Sequence, residues 1–263
     1  MVAPAIWSFN AAKGIANNDA ALEAAASAGC AVLHIQEPYI STDGALRLHP
    51  QFDAFLPLGN DNPKTVTYTR KSLGFHQTRA GPTIVAVSAG TLSTGNCYWL
   101  PSHKDSSTAD LLGLPRLTAE VVITGDFNSS HPSWEDSAPA SPEGNTLAWW
   151  TARRSLRALV RQTSTHSRGH TLDLAFFNCE GASVAVRRDL GFKSDHWPVA
   201  VNVPHTALDR RPPRRRVPLH RFHEYLQATR RLASLLRYPG GHPAGLGQYA
   251  QDVIDVFSLP LAA

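Results

Sequence analysis

The sequence predicts an α/β (α+β) fold: a four-layer sandwich of two packed mixed β-sheets flanked by helices, plus a helical C-terminal tail. Three observations predict it. Short strand-like runs are frequent over residues 1–204 and helix-like segments between them are few, so the regular strand–helix alternation of a doubly wound parallel sheet is missing. Several of these apolar runs stop on an acid, an amide or a histidine, as if they shared one polar edge. At residue 209 the composition shifts to DRRPPRRRVP, an extended and solvated Pro/Arg-rich stretch. The expected organisation is a main domain over 1–204, a linker over 205–219 and a helical tail over 220–263.

Taken in order, AIWSF (5–9) is a short strand and NNDAALEAAASAG (17–29) an Ala-rich helix with a Gly stop. AVLHIQ (31–36) reads as a buried strand. TVTYTR (65–70) alternates Val66, Tyr68 and Arg70 with threonines and reads as a half-exposed strand. PTIVAVSAG (82–90), NCYWL (96–100) and EVVITGD (120–126) follow as strands. NTLAWWTARRSLRALV (145–160) reads as one amphipathic helix, and TLDLAFFN (171–178), SVAVRRD (183–189) and WPVAVNV (197–203) as further strands. In the tail, HRFHEYLQATRRLASLLRY (220–238) and GLGQYAQDVIDVFS (245–258) carry apolar residues near helical spacing.

The 263-residue length and 43% hydrophobic content suit one sizeable core with an appendage. No run approaches the roughly 20 apolar residues of a membrane span. The first residues, MVAPAIWSFNAAKG, lack the pattern of a secretion signal. Cys30, Cys97 and Cys179 are widely spaced without a CxxC pair, which fits reduced, buried thiols and an intracellular protein. The net charge of +4 is unevenly placed: residues 205–263 hold nine Arg against four acids, whereas residues 1–204 hold 16 Lys and Arg against 17 Asp and Glu. The basic balance therefore belongs to the tail.

The polar residues at strand ends carry the chemistry. They are Asn10, Glu37, Asp126 with Asn128, Asp173 inside TLDLAFF, and Asp195-His196 before WPVAV. A charge inside a buried run costs several kcal/mol unless it is paired or bound to metal. Singly, Glu37 reads as a turn residue before Pro38, and Asp126 reads equally as an Asx-turn residue. Together they suggest one pocket in which converging carboxylates need a divalent cation, and oxygen donors favour a hard ion, Mg²⁺ or Mn²⁺.

The ordered set QEPY (36–39), TYTRK (67–71), Tyr98 in NCYWLP, GDFNSSHPSW (125–134), GHTLDL (169–174) and SDH (194–196) resembles the endonuclease/exonuclease/phosphatase superfamily. Its finer features are similar to the apurinic-type endonuclease domain of LINE-like (non-LTR) retrotransposons. The resemblance spans about residues 5–203 and departs from the pattern at Ala12 and Ser130. It implies a metal-dependent DNA endonuclease that nicks phosphodiester bonds, of retrotransposon origin and nuclear location, with DNA as partner and a reverse transcriptase domain or an element RNA as further partners. It implies Glu37 and Asp195 as metal ligands and Asp126 as general base. Asn128 would hold the attacking water or a phosphate oxygen. His196, oriented by Asp173, would bind the scissile phosphate, with Tyr98 and Asn10 assisting. Arg187, Arg188, His131, Trp134, Arg153 and Arg157 are candidate nucleic-acid contacts. For the helix arginines a solvated face is the favoured reading, and for Trp134 a core position weighs at least as much as a nucleic-acid contact. The same site would serve a phosphoesterase acting on small or lipid phosphates, and a decayed remnant would keep the fold without the activity.

Overall fold

The computed structural model describes residues 4–57, 62–102, 104–114, 120–204 and 208, so nearly all of the expected linker and the whole helical tail lie outside the described residues. Along the chain run β1 (Ala5–Asn10), α1 (Ile15–Ser27), β2 (Val32–Gln36), β3 (Phe52–Phe55), β4 (Thr65–Arg70), β5 (His76–Gly81), β6 (Ile84–Ala89), β7 (Leu92–Tyr98) and α2 (Lys104–Leu112). They are followed by β8 (Glu120–Asp126), α3 (Pro142–Arg153), β9 (Arg157–Ala158), β10 (Asp173–Phe177), β11 (Ser183–Val186) and β12 (Val199–Asn202).

The strands form two six-stranded sheets, ordered β11-β12-β1-β2-β4-β3 and β5-β6-β7-β8-β10-β9. Each sheet contains one parallel pair, β1 with β2 and β7 with β8, and its remaining neighbours are antiparallel. Both sheets are therefore mixed, as expected.

The period-two alternation of side chains decides the layers. Trp7 and Phe9 of β1, Leu33 and Ile35 of β2, and Val66 and Tyr68 of β4 pack with Ala21, Leu22 and Ala25 of α1. Ile84 and Ala86 of β6, Ile123 of β8, and Leu174 and Phe176 of β10 pack with Leu111 of α2 and Leu147 and Trp150 of α3. The opposite faces of the two sheets meet in a third cluster, with Ile6, Val32, Val199 and Val201 against Val85, Val87, Val122 and Ala175. Helices thus cover both outer faces.

The inter-sheet layer changes character along the strands. Ile6, Ser8 and Asn10 succeed one another on the inner face of β1, as do Val32, His34 and Gln36 on β2 and Val122, Thr124 and Asp126 on β8. Apolar packing gives way to a hydrogen-bonded middle. There His34 Nδ1 lies 2.6 Å from Thr124 Oγ1, and Gln36 Nε2 donates to Ser8 Oγ and Asn96 Oδ1. Burial pulls the His34 imidazole down to about 3, so it is neutral. Beyond this middle come the ionisable groups.

The structure corrects four local expectations. The threonine face of β4 is buried against the other sheet rather than exposed, because the inter-sheet layer at this depth is polar: Thr65, Thr67 and Thr69 are all buried. The helix expected over 145–160 begins earlier and ends earlier. Ser141 caps it, its Oγ accepting the Gly144 N–H at 2.9 Å, and Pro142 occupies the first turn. Ser155 then takes a left-handed φ of 55°, and Arg157–Ala158 pair with β10. Strand β7 starts at Leu92, earlier than the apolar run suggests, because its Ser, Thr and Asn side chains are hydrogen-bonded within the sandwich. The strand expected over 183–189 stops at Val186 and turns into a 3₁₀ segment at Arg188–Leu190.

Candidate active site

The two parallel pairs run in the same sense to one edge. Register places Asn10 beside Gln36 and Tyr98 beside Asp126, so the C-terminal ends of β1, β2, β7 and β8 all deliver polar residues there. Strand β10 is antiparallel to β8, which puts its first residue, Asp173, opposite Asp126. His196 arrives from the loop before β12, and that loop is tied to β1 by Ser194 Oγ donating to the Asn10 carbonyl at 2.8 Å. Gly125 makes the close approach of β7 and β8 possible. A Cβ there would stand 1.8 Å from the Cys97 carbonyl oxygen.

Asp126 is the hub. Its Oδ2 accepts from Asn10 Nδ2 at 2.9 Å and from Asn128 Nδ2 at 3.1 Å, and its Oδ1 accepts the Asn128 backbone N–H at 3.1 Å. His196 lies between two carboxylates, with Nδ1 2.8 Å from Asp173 Oδ2 and Nε2 3.9 Å from Asp126 Oδ2. Asp126 and Asp173 are each 1% exposed. Glu37 accepts from the Tyr98 hydroxyl at 2.5 Å, with Lys13 Nζ 3.6 Å away. Two site residues hold left-handed backbone, Glu37 at φ 44° and Asn128 at φ 42°. Asn tolerates this region, whereas Glu is held there against a cost of order 1 kcal/mol. The Glu37 N–H donates to the Lys64 carbonyl and its own carbonyl accepts from Lys13, both at 2.9 Å.

Burial and the neighbouring Asp173 carboxylate raise the Asp126 carboxyl far above the usual range; the His196 cation and the Asn10 and Asn128 bonds only partly offset this. Burial by itself would lower His196, but Asp173, Asp126 and Asp195 together hold it up at about 9. His196 is therefore an imidazolium near neutral pH. Burial and the Glu37 contact raise the Tyr98 phenol, so it remains a proton donor.

Ligand-type groups cluster as Asp126, Asp173 and His196, and as His166, Asp195 and His196. Asp173 Oδ1 is a buried carboxylate oxygen without a hydrogen-bond partner. That orphaned acceptor, and the carboxylates of Glu37, Asp126, Asp173 and Asp195 gathered at this edge, make an oxygen-rich donor set that suits a hard cation.

The structure thus brings together Asn10, Asp126, Asn128, Asp173 and His196, with Asp195 beside His196 and the Glu37–Tyr98 pair across the strand ends. The expected nucleic-acid contacts divide. Arg188 is exposed near the site, its guanidinium 4.2 Å from the Trp197 ring and bonded to the Ser164 carbonyl. Arg187 is committed to Asp189 at 2.7 Å and stacks on Trp7. His131 is half-buried, 5.1 Å from Trp134. Trp134 is 1% exposed within the outer core of the second sheet, so its ring cannot stack on a base. Arg157 pairs with Phe177 at the far end of β10, about 13 Å along the strand from Asp173. Arg153 rests on the exposed Trp149 ring of α3.

Two residues escaped the sequence reading. Thr165 Oγ1 accepts the N–H groups of Leu172 and Asp173, which fixes the start of β10. His166 Nε2 lies 3.1 Å from Asp195 Oδ2. Neither terminates an apolar run, the signal that exposed the others; only the density of polar residues in TSTHSRGHT hinted at them.

Residues 92–200 match the family model described as endonuclease-reverse transcriptase. Among curated proteins none matches the sequence. Solved structures share the fold. The endonuclease domain of TRAS1, a telomere-specific non-LTR retrotransposon, superposes with a TM-score of 0.62 at 19% identity, over 76% of this chain and 98% of that one. The AP endonuclease LMAP from Leishmania major gives 0.59 at 14% identity, over 80% and 89%. The 3′ phosphatase NExo from Neisseria, bound to a product DNA hairpin, gives 0.55 at 14%, over 76% and 99%.

Proposed function

We propose that this domain is a Mg²⁺- or Mn²⁺-dependent DNA endonuclease that nicks one strand, the nuclease part of a non-LTR retrotransposon. The observation that carries the reading is His196 held as a cation between Asp173 and Asp126, at the edge where both parallel strand pairs end. The family match over residues 92–200 and the DNA-processing relatives support nucleic acid over a small phosphate ester.

In this reading Asp126 accepts the proton of the attacking water, which its raised affinity for protons favours. Asn128 and Asn10 hold the carboxylate in one orientation. His196 donates from Nε2 to a non-bridging phosphate oxygen, its other nitrogen fixed by Asp173. Tyr98 remains protonated and donates towards the phosphate side. A cation held by Glu37 and Asp195 would neutralise charge on the phosphate. Arg188 is the nearest candidate contact to the DNA backbone, and the arginine-rich 210–216 stretch adds sequence-independent attraction. A reverse transcriptase domain or element RNA as partner, and a nuclear location, follow from the same proposal; among the described residues no helix is long and apolar enough to cross a membrane.

The test is relaxation of supercoiled plasmid to the nicked form in Mg²⁺, beside phosphate release from inositol phosphates. Nicking that disappears in Asp126→Asn and His196→Ala is the expected result. Absence of nicking at every metal concentration, or equal nicking by those variants, would overturn it.

A further inference from the structure

Segment 163–171, between β9 and β10, clamps the loop that carries Asp195 and His196. Thr165 accepts the Trp197 N–H through its carbonyl at 2.8 Å, Ser167 N–H donates to the Asp195 carbonyl at 2.8 Å, and the His166 and His196 rings meet edge to face at 4.7 Å. His166 is buried, whereas the Asp195 side chain it touches is 51% exposed.

The proton on His166 can be placed. Its Nδ1 accepts the Arg168 backbone N–H at 3.1 Å, and a backbone amide can only donate. Nδ1 is therefore bare, and the ring proton of the neutral imidazole sits on Nε2, aimed at Asp195 Oδ2 at 3.1 Å. A metal ligand at Nε2 would need the opposite tautomer. The proximity of His166, Asp195 and His196, which looks like a three-ligand metal set, is thus better described as a donor holding a carboxylate.

We infer that His166 is a positioning residue: it occupies Asp195 Oδ2 and leaves Oδ1 alone to face the site. Oδ1 lies 4.0 Å from His196 Nε2. An otherwise exposed aspartate would rotate and offer either or both oxygens. With one oxygen committed, Asp195 approaches a cation through a single oxygen, the mode that a small octahedral ion uses. The inference rests on the proposed divalent-cation site and deepens it, since it assigns to this chain a residue that tunes that site without touching the ion or the DNA.

The experiment measures Mn²⁺ binding to the full chain by titration followed with electron paramagnetic resonance, without substrate. His166→Phe keeps the ring and removes the donor; His166→Gln keeps an N–H. The Phe variant is expected to bind Mn²⁺ about 10–100-fold more weakly, the range for removing a partner of a ligand, and the Gln variant to recover most of the affinity. Equal affinity in wild type and Phe variant, or a Gln variant no better than Phe, overturns the inference, as does a wild-type chain that binds no Mn²⁺. A wild type that binds Mn²⁺ yet never nicks DNA refutes the nuclease reading alone. Long-range ¹H–¹⁵N correlation of the wild-type histidines tests the tautomer independently of any variant's folding: a proton on Nε2 supports the inference, and one on Nδ1 overturns it.

Discussion

The two sheets are built alike and end differently. Each sends one parallel strand pair to the same edge, and each places a left-handed residue within two positions of a strand end there, Glu37 after β2 and Asn128 after β8. The first sheet brings an amide, Asn10, and a carboxylate, Glu37, whose side chain is 23% exposed. The second brings Asp126 and Asp173, both buried and opposite each other. Asp173 raises both Asp126 and His196, whereas Asn10 lowers Asp126 and Glu37 raises the Tyr98 phenol. In the proposed mechanism, proton transfer belongs to the second sheet and placement of its carboxylate to the first. The family match over 92–200 takes in Asp126, Asp173 and His196 and leaves out Asn10 and Glu37.

The largest expected effect lies in the second sheet. Asp126→Asn should slow nicking by about 10²–10⁴-fold, the scale of a lost general base, in single-turnover assays on supercoiled DNA. Asn10→Ala, across the interface, removes one charge-assisted hydrogen bond and should cost only about tenfold. Equal losses would erase the division between the sheets.

The pH profile sharpens it. The proposed mechanism needs Asp126 deprotonated and His196 protonated, so the rate should rise as pH passes the elevated Asp126 value and fall as it passes about 9. Asp173 raises both groups, so Asp173→Asn should move both limbs to lower pH. Asn10 lowers Asp126, so Asn10→Ala should move the acid limb alone to higher pH. A pH–rate series on the three proteins checks these signs.

The smallest expected effects separate the arginines. Arg188→Ala should weaken DNA binding uniformly and reduce the slope of log affinity against log salt by about one unit. Arg157→Ala, at the opposite end of β10, should change neither. Filter-binding isotherms at several salt concentrations distinguish them.

The sequence exposed those parts of the site in which an apolar run ends abruptly on a polar residue, because burial and polarity conflict visibly there. Asn10, Asp126, Asp173 and His196 were legible for that reason, and both sheets followed from the many short runs. Edge strands were not. β5, HQTRAG, is exposed along most of its length and held by backbone pairing with β6, so it leaves no hydrophobic period to read. β9 was hidden because Leu156 and Val160 are buried at a spacing that suits a helix as well as a strand. His166 was illegible because the role proposed for it depends on a tautomer set by the Arg168 amide, a relation that exists only in three dimensions.

Gly125 has no acid, base or ligand of its own, yet a side chain there would collide with the Cys97 backbone opposite it and force apart the two central strands of the second sheet. Mobile elements accumulate broken copies. If the proposed retrotransposon origin holds, a residue other than glycine at this position is expected to mark a disabled copy, even with every reactive group still spelled correctly in the gene.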